Sequence, residues 1–371
     1  MVARVGALLT VVTLLWAAPV AAKPQHSKAA GGPPSGCTVK TYSYDSGGSP
    51  GSGAVNDPLF SRQWGLTQIH APAAWARGAK GAGVTIAVVD TGVDLNHPDL
   101  QSKLVTGTDI VAGRRDCPPG PQDENGHGTH VSGIAAAATN NGIGVAGTAP
   151  DANIMPVRVL DADGNGTTED VANGIVYAAD HGAKVINLSL GELPVLSQID
   201  PENEQIAAAI QHAWDAGSLV VAAAGNETFP LCDSPAWEHH AVCVGATDKR
   251  GAPTFYSNFP NNQDIVGVRA PGGFGAGSCE NDEDIWSTIW PGSDFDCRGS
   301  DPLFGGMSGY ETLAGTSMAT PFVSGVAALL FGEGLNNQQV VTKLEQTSSN
   351  HGSFDPVMGY GIVDADAATA P

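Results

Sequence analysis

The chain has 371 residues and a formal net charge of −21, because 38 acidic residues outnumber 17 basic ones. This charge argues against nucleic acid and anionic membranes as partners, and the 48 glycines predict many turns and close backbone contacts. The length suits one large α/β domain or two smaller ones.

The first 22 residues have the pattern of a secretory signal peptide. Arg4 supplies a positive charge, an apolar run extends from Val5 to Trp16, and small residues precede a cleavage position after Ala22. The apolar run is short for a membrane span, so an uncleaved anchor is the weaker alternative. We expect a secreted, extracellular protein with no membrane contact after cleavage.

Residues 23–54 are rich in Gly, Ser, Pro and Ala, which predicts a short flexible leader or propeptide before a domain at 55–371. An even number of cysteines in a secreted chain predicts disulfide bonds, although six cysteines allow many pairings. Proximity along the chain favours three pairs: Cys232–Cys243, Cys279–Cys297 and, as the remainder, Cys37–Cys117.

Apolar runs rich in β-branched residues alternate with helical patterns through the middle of the chain. The strand patterns include GVTIAVVD, ANIMPVRVL, AKVINLSLG, SLVVAAAGN and HAVCVGAT, and the helical patterns include TEDVANGIVYAADHG and ENEQIAAAIQHAWDAG. Such alternation predicts an α/β fold, doubly wound, with three α/β/α layers and a central parallel sheet.

Residues 272–313 are acidic and rich in glycine, which predicts an extended surface-loop insertion pinned by Cys279–Cys297. The segment GGFGAG within it has the glycines of a dinucleotide-binding loop, but no helix pattern follows it. We therefore do not expect a dinucleotide there.

The segment LAGTSMATPFVSGVAALLF predicts a buried helix that begins near Ser317, with Pro321 in its first turn. Ser317 would then lie at the positive end of the helix dipole. One interpretation is a simple helix cap, and the other is a nucleophile whose developing oxyanion meets backbone N–H groups.

Other polar residues fall where strands end or helices begin. Asp90 ends one strand, Asn226 follows another, and His127 opens a helix with a glycine-rich entrance. A serine nucleophile needs a base, and the base needs a group that orients it. Ser317, His127 and Asp90 supply these three types of residue.

Five blocks that contain these residues occur in order: AVVDTGVD, GHGTHVSGI, NLSLG, AAAGN and GTSMATP. Together they resemble the signature blocks of the subtilisin-like serine proteases (peptidase family S8). The segments NDPLFSRQWGL, NHPDL and TNNGIGVAGTAP are similar to those of the thermitase-like branch. The resemblance runs from Asn56 to the C-terminus.

The resemblance implies a secreted serine endopeptidase, a monomer, that acts on proteins or peptides. Asp90 would orient His127, His127 would take the proton of Ser317, and Ser317 would attack the scissile carbonyl. The Asn226 amide and the Ser317 N–H would bind the oxyanion.

The resemblance also implies a substrate groove. An extended peptide would pair with two segments: Ser189-Leu190-Gly191 and Gly164-Asn165-Gly166. Thr168, Val171 and Leu190 would line a distal apolar pocket. Asn165 also begins an N-x-[ST] triplet, so it is an alternative glycan acceptor.

The pocket for the residue before the cleaved bond would be walled by Ala223, Ala224 and Gly225, with Asp233 at its base by spacing. A carboxylate there would favour Arg or Lys in the substrate. The alternative is that Asp233 is a solvated loop residue of a very acidic protein.

The family's strong calcium site would take side-chain oxygens from Asp57, Asp99 and Asn141, and backbone carbonyls from Ala138, Ile143 and Val145. The alternative is that the two aspartates only cap turns beside prolines. Ca²⁺ is the one cofactor we expect.

Two departures from the family pattern and three alternative functions remain. The leader is too short for the usual inhibitory pro-domain, and Phe322 stands where relatives usually have histidine. A catalytically silent peptide-binding relative would not react with a serine-directed phosphonate. An α/β esterase is disfavoured because no GxSxG elbow joins a strand pattern to a helix pattern, and zinc at His127 and His130 because HExxH is missing.

Overall fold

Seven parallel strands form the central sheet in the order β2–β3–β1–β4–β5–β6–β7. The computed structural model describes residues 42–49, 55–111, 120–192, 203–260, 262–275, 281–295 and 308–371. The strands are β1 (Thr85–Asp90), β2 (Thr108–Asp109), β3 (Asn153–Arg158), β4 (Val185–Leu188), β5 (Leu219–Ala223), β6 (Ala241–Thr247) and β7 (Val266–Pro271).

Helices cover both faces of this sheet, which confirms the predicted three-layer α/β/α fold. The larger core packs against α1 (Trp64–Gln68), α2 (Ala71–Ala76), α3 (His127–Ala136), α6 (Thr316–Gly332), α7 (Asn337–Thr347) and α8 (Ala365–Ala368). The smaller core packs against α4 (Thr168–Asp180) and α5 (Asn203–Asp215).

Successive residues of the central strands belong to different cores. On β1, Ile86 and Val88 face the larger core, whereas Ala87 and Val89 face the smaller one. A strand that is buried on both faces needs apolar residues at every position. This explains why the strand patterns in the sequence are continuous instead of alternating.

The helix α6 differs in one detail from its predicted form. It begins at Thr316, so Pro321 lies beyond the first turn, inside the helix. The sequence predicts Pro321 in the first turn, because a proline there removes no helical hydrogen bond. Its position in the structure leaves a backbone carbonyl without a helical donor, and a side chain from another segment supplies one.

The predicted loop at 272–313 contains two strands, β8 (Ile285–Thr288) and β9 (Tyr310–Leu313), which pair antiparallel. Trp286 and Tyr310 are buried, and this burial stabilises the hairpin despite its polar surroundings. The hydroxyls of Ser287 and Thr288 donate to carbonyls of α3 at 2.7 and 2.8 Å. The insertion therefore supports the helix that begins with His127.

Part of the predicted flexible leader also contacts the domain. The Tyr44 hydroxyl donates to Asp94 at 2.7 Å, and the ring packs edge-on against His97. The Asp45 N–H donates to the Ser308 carbonyl at 2.9 Å, and the Ser308 N–H donates back to the Asp45 carboxylate. Residues 42–49 are therefore held against the domain, whereas residues 1–41 lie outside the described part.

One predicted disulfide, Cys232–Cys243, is confirmed, with an S–S distance of 2.01 Å. The other predicted pairs, Cys279–Cys297 and Cys37–Cys117, lie outside the described residues, as does the predicted signal peptide. Within the described part of the chain, no helix has the length and apolar character needed to span a membrane.

Candidate active site

The candidate catalytic residues meet at the carboxyl edge of the sheet. Asp90 ends β1, Asn226 lies shortly after β5, and Ser189 directly follows β4. His127 is the first residue of α3 and Ser317 the second of α6. Because parallel strands end at one edge, five segments distant in sequence place polar groups around one crevice.

Asp90 holds His127 through a short hydrogen bond in a buried setting. The His127 Nδ1 donates to Asp90 Oδ1 at 2.8 Å, and the Thr91 N–H donates to the same oxygen at 2.7 Å. A carboxylate only accepts hydrogen bonds, so the proton of neutral His127 is on Nδ1 and Nε2 is free to act as a base.

Close backbone approach makes this bond possible. A Cβ on Gly128 would lie 2.1 Å from the Gly92 carbonyl oxygen and 3.2 Å from the Asp90 Cβ. Only glycine therefore allows α3 to begin this close to the end of β1.

Two carboxylates determine the charge state of His127. Burial by itself lowers the pKa of the imidazole, but the neighbouring charges of Asp90 and Asp123 outweigh it, so the pKa is raised above its usual value. An imidazolium at this position would thus be stabilised by two acidic groups.

Asp123 is a site residue that the sequence analysis missed. Its carboxylate accepts hydrogen bonds from the N–H groups of Asn125, Gly126 and Thr129 and from the Thr91 hydroxyl, all at 2.9 Å. These bonds fix the loop that leads into α3. The segment from Asp123 to Gly126, Asp-Glu-Asn-Gly, is a turn pattern, and this pattern was the available signal.

Ser317 lies near the start of α6, with its hydroxyl turned toward the segment that follows β4. The Ser317 Oγ donates to the Ser189 carbonyl at 3.2 Å, and among the described residues no hydrogen bond joins it to His127. Transfer of its proton to Nε2 would therefore require a rotation of the Ser317 side chain. Such loose contacts are common before substrate binds.

Asn226 is anchored so that its amide nitrogen remains available. Its Oδ1 accepts hydrogen bonds from the Thr316 N–H at 2.9 Å and the Thr316 hydroxyl at 3.2 Å. A Cβ built on Gly315 would lie 3.8 Å from Asn226 Nδ2 and 3.7 Å from the Ser317 nitrogen. These two donors therefore border the same space, as an oxyanion site requires.

A groove lies between the two predicted substrate segments. Its lining includes the predicted residues Gly164, Leu190, Gly191, Thr168 and Val171, together with Leu160, Thr167, Glu192, Ile206, Ser234 and Pro235. Within the Gly164 segment, the Asn165 N–H donates to the Asp161 carboxylate at 2.9 Å, and a Cβ on Gly166 would lie 2.5 Å from the Val159 carbonyl oxygen.

Asp233 lies between Gly225, a predicted wall of the pocket, and Gly191 of the predicted substrate segment. Its N–H donates to the Ala224 carbonyl at 2.9 Å, and its Cβ lies 3.1 Å from the position of a Cβ on Gly191. A Cβ on Gly225, which has a φ of +103°, would lie 2.3 Å from the Asp233 carboxylate. Asp233 is 3% exposed, so it is not the solvated loop residue of the alternative interpretation.

Two further residues of this pocket were not predicted. Asn258 Nδ2 donates to Asp233 at 3.1 Å and to Glu227 at 2.8 Å, so one amide links two carboxyl groups. Burial, together with the nearby charge of Glu227 and more weakly of Glu192, raises the pKa of Asp233 to about 8. Nothing in the local sequence indicates this contact, because it joins the loop between β5 and β6 to the loop between β6 and β7.

The predicted calcium ligands lie close together away from the crevice. Asp57 accepts hydrogen bonds from the N–H of Asn141 at 3.1 Å, and the Asn141 amide donates to Asp99 at 2.6 Å. Ala138 donates its N–H to the Asp99 carbonyl, and Val145 donates its N–H to the Asp99 carboxylate, both at 2.9 Å. The Ile143 N–H donates to the Asn141 side chain at 3.0 Å.

The alternative zinc pair does not converge. His127 Nδ1 is directed to Asp90, whereas His130 Nε2 hydrogen bonds the Glu311 carbonyl oxygen at 3.2 Å. Burial lowers the pKa of His130 to about 3, so this side chain is a neutral, packed residue of α3. Within the described segments, no group of three or more His, Cys, Asp or Glu residues is arranged to hold a metal ion.

Comparison with known proteins identifies the chain. The model of the subtilase family matches residues 81–361. Thermitase from Thermoactinomyces vulgaris is 43% identical over 84% of this chain and 97% of its own length, and subtilisin BL from Lederbergia lenta is 39% identical over 82% and 98%. The solved structure of a protease from Pseudoalteromonas arctica has a TM-score of 0.70 and 31% identity, covering 85% of this chain and 98% of that one.

The fold and the crevice are those of a serine hydrolase. The chain belongs to the subtilase family, in its thermitase-like branch, and it is a serine endopeptidase that acts on proteins or peptides.

Proposed function

We propose that this enzyme cleaves peptide bonds through Asp90, His127 and Ser317, with Asn226 binding the oxyanion. The observation that carries the proposal is the 2.8 Å hydrogen bond from His127 to buried Asp90, at the same sheet edge as Ser317. The decisive experiment is reaction of the folded enzyme with a serine-directed phosphonate. Labelling at Ser317 supports the proposal, whereas an unreacted enzyme supports a silent peptide-binding relative.

The proposed reaction begins when the Ser317 hydroxyl rotates to His127. Its proton passes to His127 Nε2 as the Ser317 Oγ–carbon bond forms, and the negative charge on the carbonyl oxygen is met by Asn226 Nδ2 and the Ser317 N–H. His127 then gives this proton to the leaving amine, and the C–N bond breaks. Water, activated by His127, hydrolyses the resulting ester and restores Ser317.

We propose that the groove takes the substrate as an extended strand. The carbonyl of Ser189 and the backbone of Gly191 would pair with it on one side, and the Gly164-Asn165-Gly166 segment on the other. Main-chain pairing binds many sequences, and the apolar lining with Val171 and Leu190 would select a large apolar side chain farther along the peptide.

We propose further that Asp233 gives a preference for Arg or Lys immediately before the cleaved bond. Its carboxyl group is buried between Gly191 and Gly225, and Glu227 adds a second acidic group beside it. A guanidinium or ammonium entering the pocket would pair with these carboxyl groups.

This preference should depend on pH. Because the pKa of Asp233 is raised to about 8, the carboxyl is protonated below that pH and charged above it. We expect the ratio of kcat/KM for Arg over Leu substrates to rise as the pH rises through about 8. The two substrates share one triad, so the ratio cancels the titration of His127.

The matched variant is Asp233→Asn, which keeps the shape of the side chain. It should lower kcat/KM for Arg and Lys substrates by about 10- to 100-fold while leaving kcat/KM for Leu substrates nearly unchanged. In this variant the ratio of kcat/KM for Arg over Leu substrates should not vary with pH. If the ratio of kcat/KM for Arg over Leu substrates of the wild type stays constant between pH 6 and 10, Asp233 does not determine the substrate preference.

We propose that Asp57, Asp99 and Asn141 hold a structural Ca²⁺, with carbonyls of Ala138, Ile143 and Val145 as further ligands. The two carboxylates are buried, and within the described chain neither takes part in an ion pair. Burial, reinforced by the charge of Asp57, raises the pKa of Asp99 to about 7. An oxygen-rich pair of buried acids without a counter-charge fits a hard cation.

Chelation should therefore destabilise the enzyme. With calcium at 100 times its dissociation constant, removal should lower the free energy of unfolding by about 2.7 kcal/mol. Thermal unfolding with EDTA and with excess Ca²⁺ measures this difference. In an Asp99→Asn variant the unfolding curves with EDTA and with excess Ca²⁺ should coincide. A wild-type Tm that is the same in both conditions would contradict the proposed calcium site.

We propose that the enzyme is secreted and works as a monomer. The N-terminal signal pattern and the Cys232–Cys243 disulfide, which suits an oxidising compartment, support secretion. The large negative charge supports a soluble enzyme that avoids nucleic acid.

A further inference from the structure

Pro321 leaves one carbonyl at the start of α6 without its usual partner. In an α-helix the N–H of residue i donates to the carbonyl of residue i−4, so residue 321 would serve the carbonyl of Ser317. Proline has no N–H to donate. The hydroxyl of Ser189, on the segment after β4, donates to the Ser317 carbonyl at 2.8 Å instead.

The orientation of the Ser189 hydroxyl is itself fixed by buried groups. Asn187 Nδ2 donates to Ser189 Oγ at 3.0 Å, and the Ser324 hydroxyl donates to Asn187 Oδ1 at 2.7 Å. Asn187 and Ser324 are fully buried, and Ser189 nearly so. Each hydroxyl has a single proton, so this chain of bonds runs in one direction, from Ser324 to the Ser317 carbonyl.

A second hydrogen bond runs the opposite way between the same two residues. The Ser317 hydroxyl donates to the Ser189 carbonyl at 3.2 Å. In the proposed reaction this bond must break, because the Ser317 hydroxyl turns to His127. The bond from Ser189 Oγ to the Ser317 carbonyl involves no group that reacts, so it can persist while the other is lost.

The structure assigns Ser189 as a positioning residue that replaces the missing Pro321 N–H and holds the Ser317 backbone while its side chain rotates. The inference rests on the proposed catalytic role of Ser317. The held carbonyl and the N–H that would bind the oxyanion flank the same Ser317 Cα, so a shift of the backbone at this residue would displace that donor. Loss of the bond should reduce kcat and leave KM nearly unchanged.

A double-mutant cycle tests this assignment directly. Ser189→Ala should lower kcat by about tenfold, with KM within about twofold, and should slow phosphonate labelling equally. Pro321→Ala supplies an N–H that can donate to the Ser317 carbonyl. In that background the same Ser189→Ala change should lower kcat by only about twofold. Equal losses in both backgrounds would overturn the assignment.

The cycle separates positioning from general stability. Ser189→Ala also leaves Asn187 Nδ2 without its acceptor, but it does so in both backgrounds, so this cost cancels. Ser218→Ala is the matched control, because the Ser218 hydroxyl is buried and donates to the Ala183 carbonyl at 2.6 Å at the start of β5. This variant should have a lower Tm but an unchanged kcat, when the enzyme concentration is determined by active-site titration.

Two further outcomes remain decisive. If Ser189→Ala does not fold, Ser324→Ala in both backgrounds takes its place and should show the same dependence on Pro321 with a smaller loss. If kcat is unchanged in the folded variant, the assignment is wrong while the proposed function stands. A wild type that neither cleaves peptides nor reacts with the phosphonate overturns both.

Discussion

Replacing Ser317 by alanine should lower kcat on a fluorogenic peptide by about 10⁶-fold, in the range known for nucleophile loss in this class of enzyme. Without the hydroxyl there is no acyl-enzyme, and only binding and oxyanion stabilisation remain. His127→Ala should cost a similar factor, and the double variant should be no worse than either. Rates measured on protein with an unchanged Tm check the three values.

The non-additivity distinguishes a catalytic pair from two independent contributions. If the losses for Ser317 and His127 multiplied, the two side chains would not act in one step, and the proton transfer from Ser317 to His127 Nε2 would be contradicted. A Ser317→Ala variant that retained full activity would move the reaction to another residue.

The second large effect concerns the oxyanion. Asn226→Leu, which keeps the side-chain size and removes the amide, should lower kcat by about 10²- to 10³-fold with little change in KM, because the lost hydrogen bond matters most in the transition state. Steady-state kinetics on the folded variant test this expectation.

Asn226 also accepts two hydrogen bonds from Thr316, so its replacement disturbs the start of α6 as well. Thr316→Val is the matched control, because it removes the hydroxyl contact and keeps the N–H. It should lose much less activity than Asn226→Leu. If the two variants lose comparable activity, the effect comes from the disturbed start of α6, and Asn226 does not stabilise the oxyanion.

The sequence was sufficient for the features that depend on short segments. The strand that ends at Asp90 and the helix that opens at His127 are local patterns, and parallel-sheet geometry brings their ends to one edge. Long-range contacts were not predictable in this way. The antiparallel pairing of β8 with β9 and the link from Asn258 to Asp233 and Glu227 join segments with no shared local signal.

Pro321 shows the same limit within a single helix. From the sequence, a proline is acceptable where no helical hydrogen bond is lost, which predicts Pro321 in the first turn of α6. The structure satisfies the same requirement differently, because the donor comes from Ser189, more than a hundred residues earlier. The requirement that each helical carbonyl has a hydrogen-bond donor is met, but the donor lies in a segment that the local sequence around Pro321 does not indicate.

The division of β1 between two cores has a consequence for the chemistry at its end. Ile86 and Val88 fill one side of the sheet and Ala87 and Val89 the other, so a slip of one residue would place every side chain in the wrong core. Asp90 continues this strand directly. Apolar packing on both faces of β1 therefore fixes the position of the Asp90 carboxylate. The distance between Asp90 and His127 depends on side chains in the two cores that take no part in the chemistry.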